Sequence, residues 1–282
     1  MLSWLIFGAV VVAVFLTVRL SEMYRRLKRE NDAYRTNLES LVNARTQQLK
    51  RENDAYRTNF EVLVADRTQQ WKGALSDLEK ACDITVEALG DALDLKDAET
   101  EHHSRRVTAF TIAIAKKMGL SKEEIKVIAQ GALLHDFGKL AIPDAILHKP
   151  GKLTDEEMAK MKEHCYLGYK IIKDIPFLAE AAEIVYAHHE RYDGTGYPRG
   201  LKGDEIPLGA RLVAVAITLD SITCDLPYRP AQTFEAARKE IELWSGRQFD
   251  PEIAKVFLEM PDHIWEGMRN DINAAKASSP KV

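Results

Sequence analysis

Apolar and polar positions alternate in three different ways along the chain. From Met1 to Val18, "MLSWLIFGAVVVAVFLTV", the run is apolar and carries no charge. As a helix rising about 1.5 Å per residue it would span roughly 27 Å, close to the ~30 Å hydrocarbon thickness of a bilayer. Over residues 20–83 polar side chains dominate, and apolar ones return at wide helical spacing: Leu27, Tyr34, Leu38, Leu41, then Leu49, Tyr56, Phe60, Leu63. No glycine lies between Gly8 and Gly73 and no proline before Pro143, so nothing interrupts a long helix there. Over residues 84–260 the apolar positions become dense and fall in segments of helical length. "SKEEIKVIAQGALL" opens on a capping box, Ser121 with Glu124, and "TDEEMAKMKEHCYLGYKII" on another, Thr154 with Glu157. Asp250 and Pro251 make an N-cap followed by proline at the first helical position. No alternating run of strand length appears. The expected fold is all-α: a helical domain preceded by a transmembrane helix and a long coiled-coil helix, with residues 261–282 as a tail.

The first segment, 1–19, reads as an uncleaved anchor. A signal peptide would carry positive charge before its apolar run. Here Arg19, Arg25, Arg26, Lys28 and Arg29 come after it, which places the stalk and the helical domain on the cytoplasmic side. The second segment contains a repeat: "KRENDAYRTNLESLVNARTQQL" from Lys28 returns as "KRENDAYRTNFEVLVADRTQQW" from Lys50, a period of 22 residues. Six turns per period is about 3.67 residues per turn, which favours a straight or weakly right-handed coil. A parallel homodimer through this stalk is expected. Whether it relays a signal or only spaces the domain from the membrane stays open.

Net charge −4 and a pI near 6.1 give no basic field, so no nucleic-acid polymer is expected as partner. Cys82, Cys165 and Cys224 are scattered and suggest no disulfide framework. The histidines are more informative. Glu99 and His103 are four apart and share one helix face. His135 and Asp136 stand in "LLHDFGKLAIPD", His164 in "KMKEHCYLGYKII", and His188 and His189 in "VYAHHERYDGTGYP". Five of the eight histidines thus fall on helices whose apolar neighbours predict an interior. A buried histidine beside a buried carboxylate is costly unless both are satisfied. A multinuclear site of imidazoles and carboxylates would satisfy them, and suits iron, manganese or zinc. Cys165 is left out, because on a helix it points about 100° away from His164.

"HDFGK", "KPGKLTDEE", "HHERYDGTGYPRGLKGDEIPLGARL" and "LPYRP", in this order, resemble the HD-GYP branch of the HD metal-dependent phosphohydrolases. The resemblance implies an all-helical domain that hydrolyses the bacterial second messenger cyclic di-GMP to pGpG or GMP with a metal-activated hydroxide. The chain would then sit in the bacterial inner membrane, single-pass, with its catalytic domain in the cytoplasm. Matched by motif, His103, His135, Asp136, His164, His188 and His189 would be metal ligands, and Glu99 the extra glutamate of members that hold a third ion. Two or three divalent ions, iron or manganese, are implied. Asp136 and Lys139 would act in catalysis, Lys139 on substrate phosphate. Asp193, Gly194, Gly196, Tyr197 and Pro198 match the signature loop, and Arg229 a basic position facing phosphate.

The chain departs from that pattern twice. Ile217 stands where the family usually has a ligand aspartate, and Leu226 where it has an arginine. Asp220, one turn beyond Ile217, could reach a metal directly or through water. Two functions therefore stay open: an active phosphodiesterase, or a nucleotide-binding or scaffolding module without turnover. A mixed cyclic dinucleotide is an alternative substrate.

Overall fold

The structure, a computed structural model, describes residues 2–96, 102–225 and 229–277. No strand occurs among them; an isolated bridge links Ser245 and Phe249. Helix α1 covers Leu2–Lys96. The chain divides into two compact units, 1–78 and 79–282.

In the first unit every described side chain is exposed. An 18-residue window in α1 has mean hydropathy 2.0, long and apolar enough to cross a membrane. Further on, Leu38, Leu41, Leu49, Phe60 and Leu63 are all exposed along the repeat. The polar face is laced by four-apart pairs. Arg35–Glu39 at 3.2 Å and Arg57–Glu61 at 3.7 Å occupy equivalent places in the two repeats. Such exposed pairs contribute only about 0.2–0.5 kcal/mol each.

The second unit is a bundle of short helices. After α1 come α2 (His103–Lys117), α3 (Lys122–Leu133), a 3₁₀ turn (Phe137–Ala141), α4 (Asp144–Leu147), α5 (Asp155–Lys162) and α6 (His164–Ile172). Then come α7 (Ala179–Ala187), α8 (Leu208–Thr223), α9 (Phe234–Leu243), α10 (Pro251–Glu259) and α11 (Asp262–Ala277). The caps read from sequence form: Ser121 and Thr154 each close a full capping box, and Asp250 accepts from the Glu252 N–H at 2.8 Å.

Two apolar clusters hold the bundle. The larger gathers Phe110 and Ile114 of α2, Leu212 and Leu219 of α8, and Phe257 of α10. Helix α8 is apolar on nearly every side, as a helix surrounded by protein must be. The smaller cluster joins Val86 of α1, Ile172 of α6 and Val185 of α7. Helix α3 belongs to both: Ile128 and Ala132 face the first, Leu133 and Leu134 the second. Its C-terminal end therefore lies where the clusters meet, and His135 comes immediately after. The expected domain limits, 84 and 260, both fall inside this unit. Beyond 260, α11 packs down: Trp265 is fully buried, with ring contacts to Phe110 and Phe257.

Candidate metal centre

The histidines expected along helices stand instead at helix ends. His103 and His164 are the first residues of α2 and α6. His135 and Asp136 fill the turn between α3 and the 3₁₀ segment, and His188 and His189 come directly after α7. The difference matters, because adjacent side chains inside a helix diverge by about 100°. At a helix end the backbone is released, and neighbours can converge. His135 Nε2 lies 3.1 Å from Asp136 Oδ2. The rings of His188 and His189 are 4.2 Å apart, centre to centre.

Three of these imidazoles are oriented by one device. The Nδ1 atoms of His135, His164 and His188 each lie 2.7–2.8 Å from the carbonyl three residues earlier, those of Ala132, Met161 and Val185. A carbonyl can only accept, so each Nδ1 carries the proton, and in His164 and His188, whose pKa values burial lowers, Nε2 presents a lone pair. His103 is oriented by a carboxylate: its Nδ1 is 2.7 Å from Asp220 Oδ2. Asp220 also accepts from Arg106 Nε at 2.6 Å, so this buried carboxylate is spent on His103 and Arg106. Asp220, one turn beyond Ile217, thus faces His103 and Arg106. Carboxylates in this position hold a ligand imidazole in its tautomer and raise its basicity.

The lone pairs converge. His164 Nε2 is 3.2 Å from His188 Nε2, and Asp136 Oδ1 is 3.4 Å from the first and 3.8 Å from the second. Two acceptor nitrogens and a carboxylate oxygen at these separations repel one another unless a cation lies among them. The ligand atoms form two groups, each with all members within 4.8 Å of one another: His103, His135 and Asp136; and His164, Cys165, His188 and His189. These donor sets fit divalent metal ions.

Protonation supports the same geometry. Burial pushes His188 far below its ordinary value, and desolvation with the nearby His164 takes His189 down to about 3. Both stay neutral, as metal binding needs. Burial would raise Asp136, but His135 and Lys139 hold it well below the usual carboxylate range. Burial pulls His103 down, and Asp220 outweighs that and raises it. Lys139 Nζ stands 2.9 Å from Asp136 Oδ2 on the 3₁₀ turn. That turn packs so close to α6 that a Cβ on Gly138 would lie 1.8 Å from the His164 carbonyl oxygen.

The signature loop divides into parts. Tyr197 stacks on His189, 4.7 Å between ring centres and 20° between planes, and the Tyr197–Pro198 peptide is cis. Gly196 is required by close approach: a Cβ there would meet the Arg191 nitrogen at 2.3 Å. Gly194 has φ 85, a left-handed turn, and Asp193 accepts from the Thr195 N–H and hydroxyl, bracing its own loop. Arg229 donates to the Ser221 carbonyl at the end of α8. Ile217 lines a cavity of about 370 Å³ with His188, His189, Tyr197, Thr218 and Gln248. Glu99 and Leu226 lie outside the described residues.

Two residues escaped the sequence reading, and one that it weighed and left out lies beside the histidines. Buried Glu190 accepts from the Arg199 and Leu201 N–H groups at 2.7 and 3.1 Å and pins the loop's return. Its signal was its place between His189 and the loop. Arg106, three positions after His103, pairs with Asp220. Cys165 points into the histidines, its sulfur 3.5 Å from His164 Nε2.

An all-helical domain that gathers histidines and an adjacent His–Asp pair at its helix ends has the form of an HD phosphohydrolase, and the chain belongs to that family: the HD domain family model matches residues 87–253. Among curated relatives, a cyclic di-GMP phosphodiesterase of Thermotoga maritima is 42% identical over 188 residues, covering 66% of this chain and 51% of the relative. A 3'3'-cGAMP-specific phosphodiesterase of Vibrio cholerae is 37% identical over 190 residues, covering 67% and 36%. The chain thus spans about half or less of the curated relatives it matches. In fold it resembles the crystal structure of a cyclic GMP-AMP specific phosphodiesterase of V. cholerae, with TM-score 0.55 and 21% identity over 70% of this chain and 53% of that one.

Proposed function

We propose that the chain is a metal-dependent phosphodiesterase that hydrolyses cyclic di-GMP to pGpG and GMP. One observation carries this: the Nε2 atoms of His164 and His188 face each other at 3.2 Å, with Asp136 Oδ1 3.4 and 3.8 Å from them. His103, His135, Asp136, His164, His188 and His189 would hold two divalent ions, and Glu99 a third. Such ions supply Lewis acidity toward phosphate oxygens and acidify a water for in-line attack on phosphorus. The protein's part is positional. Carbonyls and Asp220 hold the imidazoles, and Lys139 brings a positive charge beside Asp136 toward a phosphate oxygen. Tyr197, stacked on His189, walls the cavity where a base can lie. The relatives support a cyclic dinucleotide, since one carries cyclic di-GMP and another cGAMP in its name.

Membrane anchoring through the apolar start of α1, with the domain cytoplasmic, belongs to the same proposal. So does a parallel homodimer through the stalk: the exposed apolar stripe of the repeat is what a second copy would cover.

The competing reading is a module that binds nucleotide without turnover. Ile217 favours it, because an isoleucine side chain lines the cavity beside His188 and His189 where the family pattern has a ligand aspartate. Product analysis separates the two. Purified protein, loaded anaerobically with iron or manganese, should convert cyclic di-GMP to linear pGpG or GMP, with Asp136→Asn inactive. Nucleotide binding with no linear product, and product appearing in Ile217→Asp, would establish the second reading. Preference for cGAMP in the same assay would move the substrate and keep the reaction.

A further inference from the structure

Arg191, two residues past His189, lines the cavity of about 370 Å³ together with Tyr197, Ile217, Thr218 and Gln248. That volume lies in the range of small-molecule sites. The Arg191 Nε is buried and has no hydrogen-bond partner among the described residues. A buried donor left unpaired is costly, which points to an acceptor that arrives from outside the chain. The carboxylates nearest in sequence are engaged elsewhere. Glu190 accepts from the Arg199 and Leu201 N–H groups, and Asp193 from Thr195. The Thr218 hydroxyl on the same wall donates to the Ala214 carbonyl at 3.0 Å. Arg191 itself is held in place. Its guanidinium carbon lies over the ring of Trp244, 5.1 Å from the centre, where α9 ends. The next two N–H groups, of Tyr192 and Asp193, donate to the Gln248 and Arg247 carbonyls at 3.2 and 2.8 Å. A guanidinium so seated keeps its planar fork of donors for a ligand.

We propose that Arg191 selects guanine: its guanidinium donates to O6 and N7 of one base of a bound cyclic dinucleotide, which lies against Tyr197 and Ile217. This rests on the cyclic dinucleotide reading and deepens it. Guanine presents two acceptors side by side on one edge, and they match the guanidinium fork. Adenine places an amino donor beside its N7, and that donor opposes Arg191. The rest of the wall suits a flat base better than a phosphate, because Ala214, Ile217 and the Tyr197 ring give it apolar faces. The phosphates have the metal centre and Lys139 for partners. Arg191 thus sets which nucleotide is held, and the chemistry is left to the histidine–aspartate cluster.

The test is equilibrium binding of cyclic di-GMP and cyclic di-AMP to the immobilised, metal-loaded full-length protein, with nucleotide supplied in continuous flow so that turnover does not deplete it. Wild type should bind cyclic di-GMP about 10–100-fold more tightly than cyclic di-AMP. Arg191→Met should lose cyclic di-GMP affinity by that factor and keep its cyclic di-AMP affinity, so that the preference collapses. Arg191→Lys, which keeps the charge and loses the planar fork, should behave like Arg191→Met. Equal affinities in wild type overturn the proposal, whether or not either variant folds. A preference that survives in Arg191→Met overturns it too. An equal loss for both nucleotides makes Arg191 a phosphate contact and overturns the guanine assignment, and so does a preference fully kept by Arg191→Lys. If wild type binds neither nucleotide, the cyclic dinucleotide reading falls and this proposal with it.

Discussion

Single residues set the protonation on which the centre depends. His188 and His189 are held neutral by desolvation, His189 down to about 3, whereas in an unfolded chain both titrate near ~6.5. Below that value the unfolded state binds more protons than the folded one, so stability falls as pH falls. His103, raised by Asp220, works in the opposite direction, contributing stability that is lost as pH rises through its folded value. Burial depresses His164 as well, so three depressed imidazoles outnumber one raised one. Chelator-treated protein should therefore show a lower urea midpoint at pH 5 than at pH 7.5; equal midpoints would mean that these histidines are hydrated. Asp220 gives a second expectation. Asp220→Ala removes the carboxylate from the buried Arg106 and the orienting partner from His103. Breaking such a pair costs about 3–5 kcal/mol of stability, readable by denaturant unfolding. Metal affinity should drop about 10–100-fold with it. Lys139→Met should separate binding from chemistry, keeping its metal while turnover falls about 100-fold.

At the scale of elements, most of the helices were legible and the site's construction was not. Capping boxes at Ser121 and Thr154 and the Asp250–Pro251 start announced α3, α5 and α10, because caps are local chemistry. The histidines were legible as a set, from their number and from the motifs around them. Their placement at helix ends was not: periodicity says nothing about where a helix stops. The contact of Asp220 with His103 was not legible, since only the packing of α8 against α2 brings the two together. Arg229 was matched by motif, and its structural partner is the Ser221 carbonyl. The close fit of the 3₁₀ turn on α6 yields an expectation for this scale. Gly138→Ala would drive a methyl to within 1.8 Å of the His164 carbonyl oxygen, forcing the turn off α6. A loss of about 1–3 kcal/mol or more is expected from such overpacking, with metal content falling in elemental analysis. A fully stable, fully loaded variant would show that the contact is softer than it stands.

For the whole molecule, the two units carry different work. The second gathers histidines and Asp136 from the ends of α2, α3, α6 and α7. The first presents apolar side chains to its surroundings along two copies of a repeat. Replacing Leu38 and Phe60, equivalent positions of the two copies, by aspartate should abolish a dimer detectable by light scattering and leave metal content unchanged. An unaltered mass would remove the stalk as the dimer interface. The central claim is that the histidine–aspartate cluster is a metal centre that hydrolyses a cyclic dinucleotide. Its most direct test is the rate of cyclic di-GMP hydrolysis by the full-length protein before chelation, after chelation, and after manganese or iron is returned. The expected result is turnover that disappears with the metal and returns with it. Turnover indifferent to chelation, or a fully loaded protein that never forms a linear product, would contradict it.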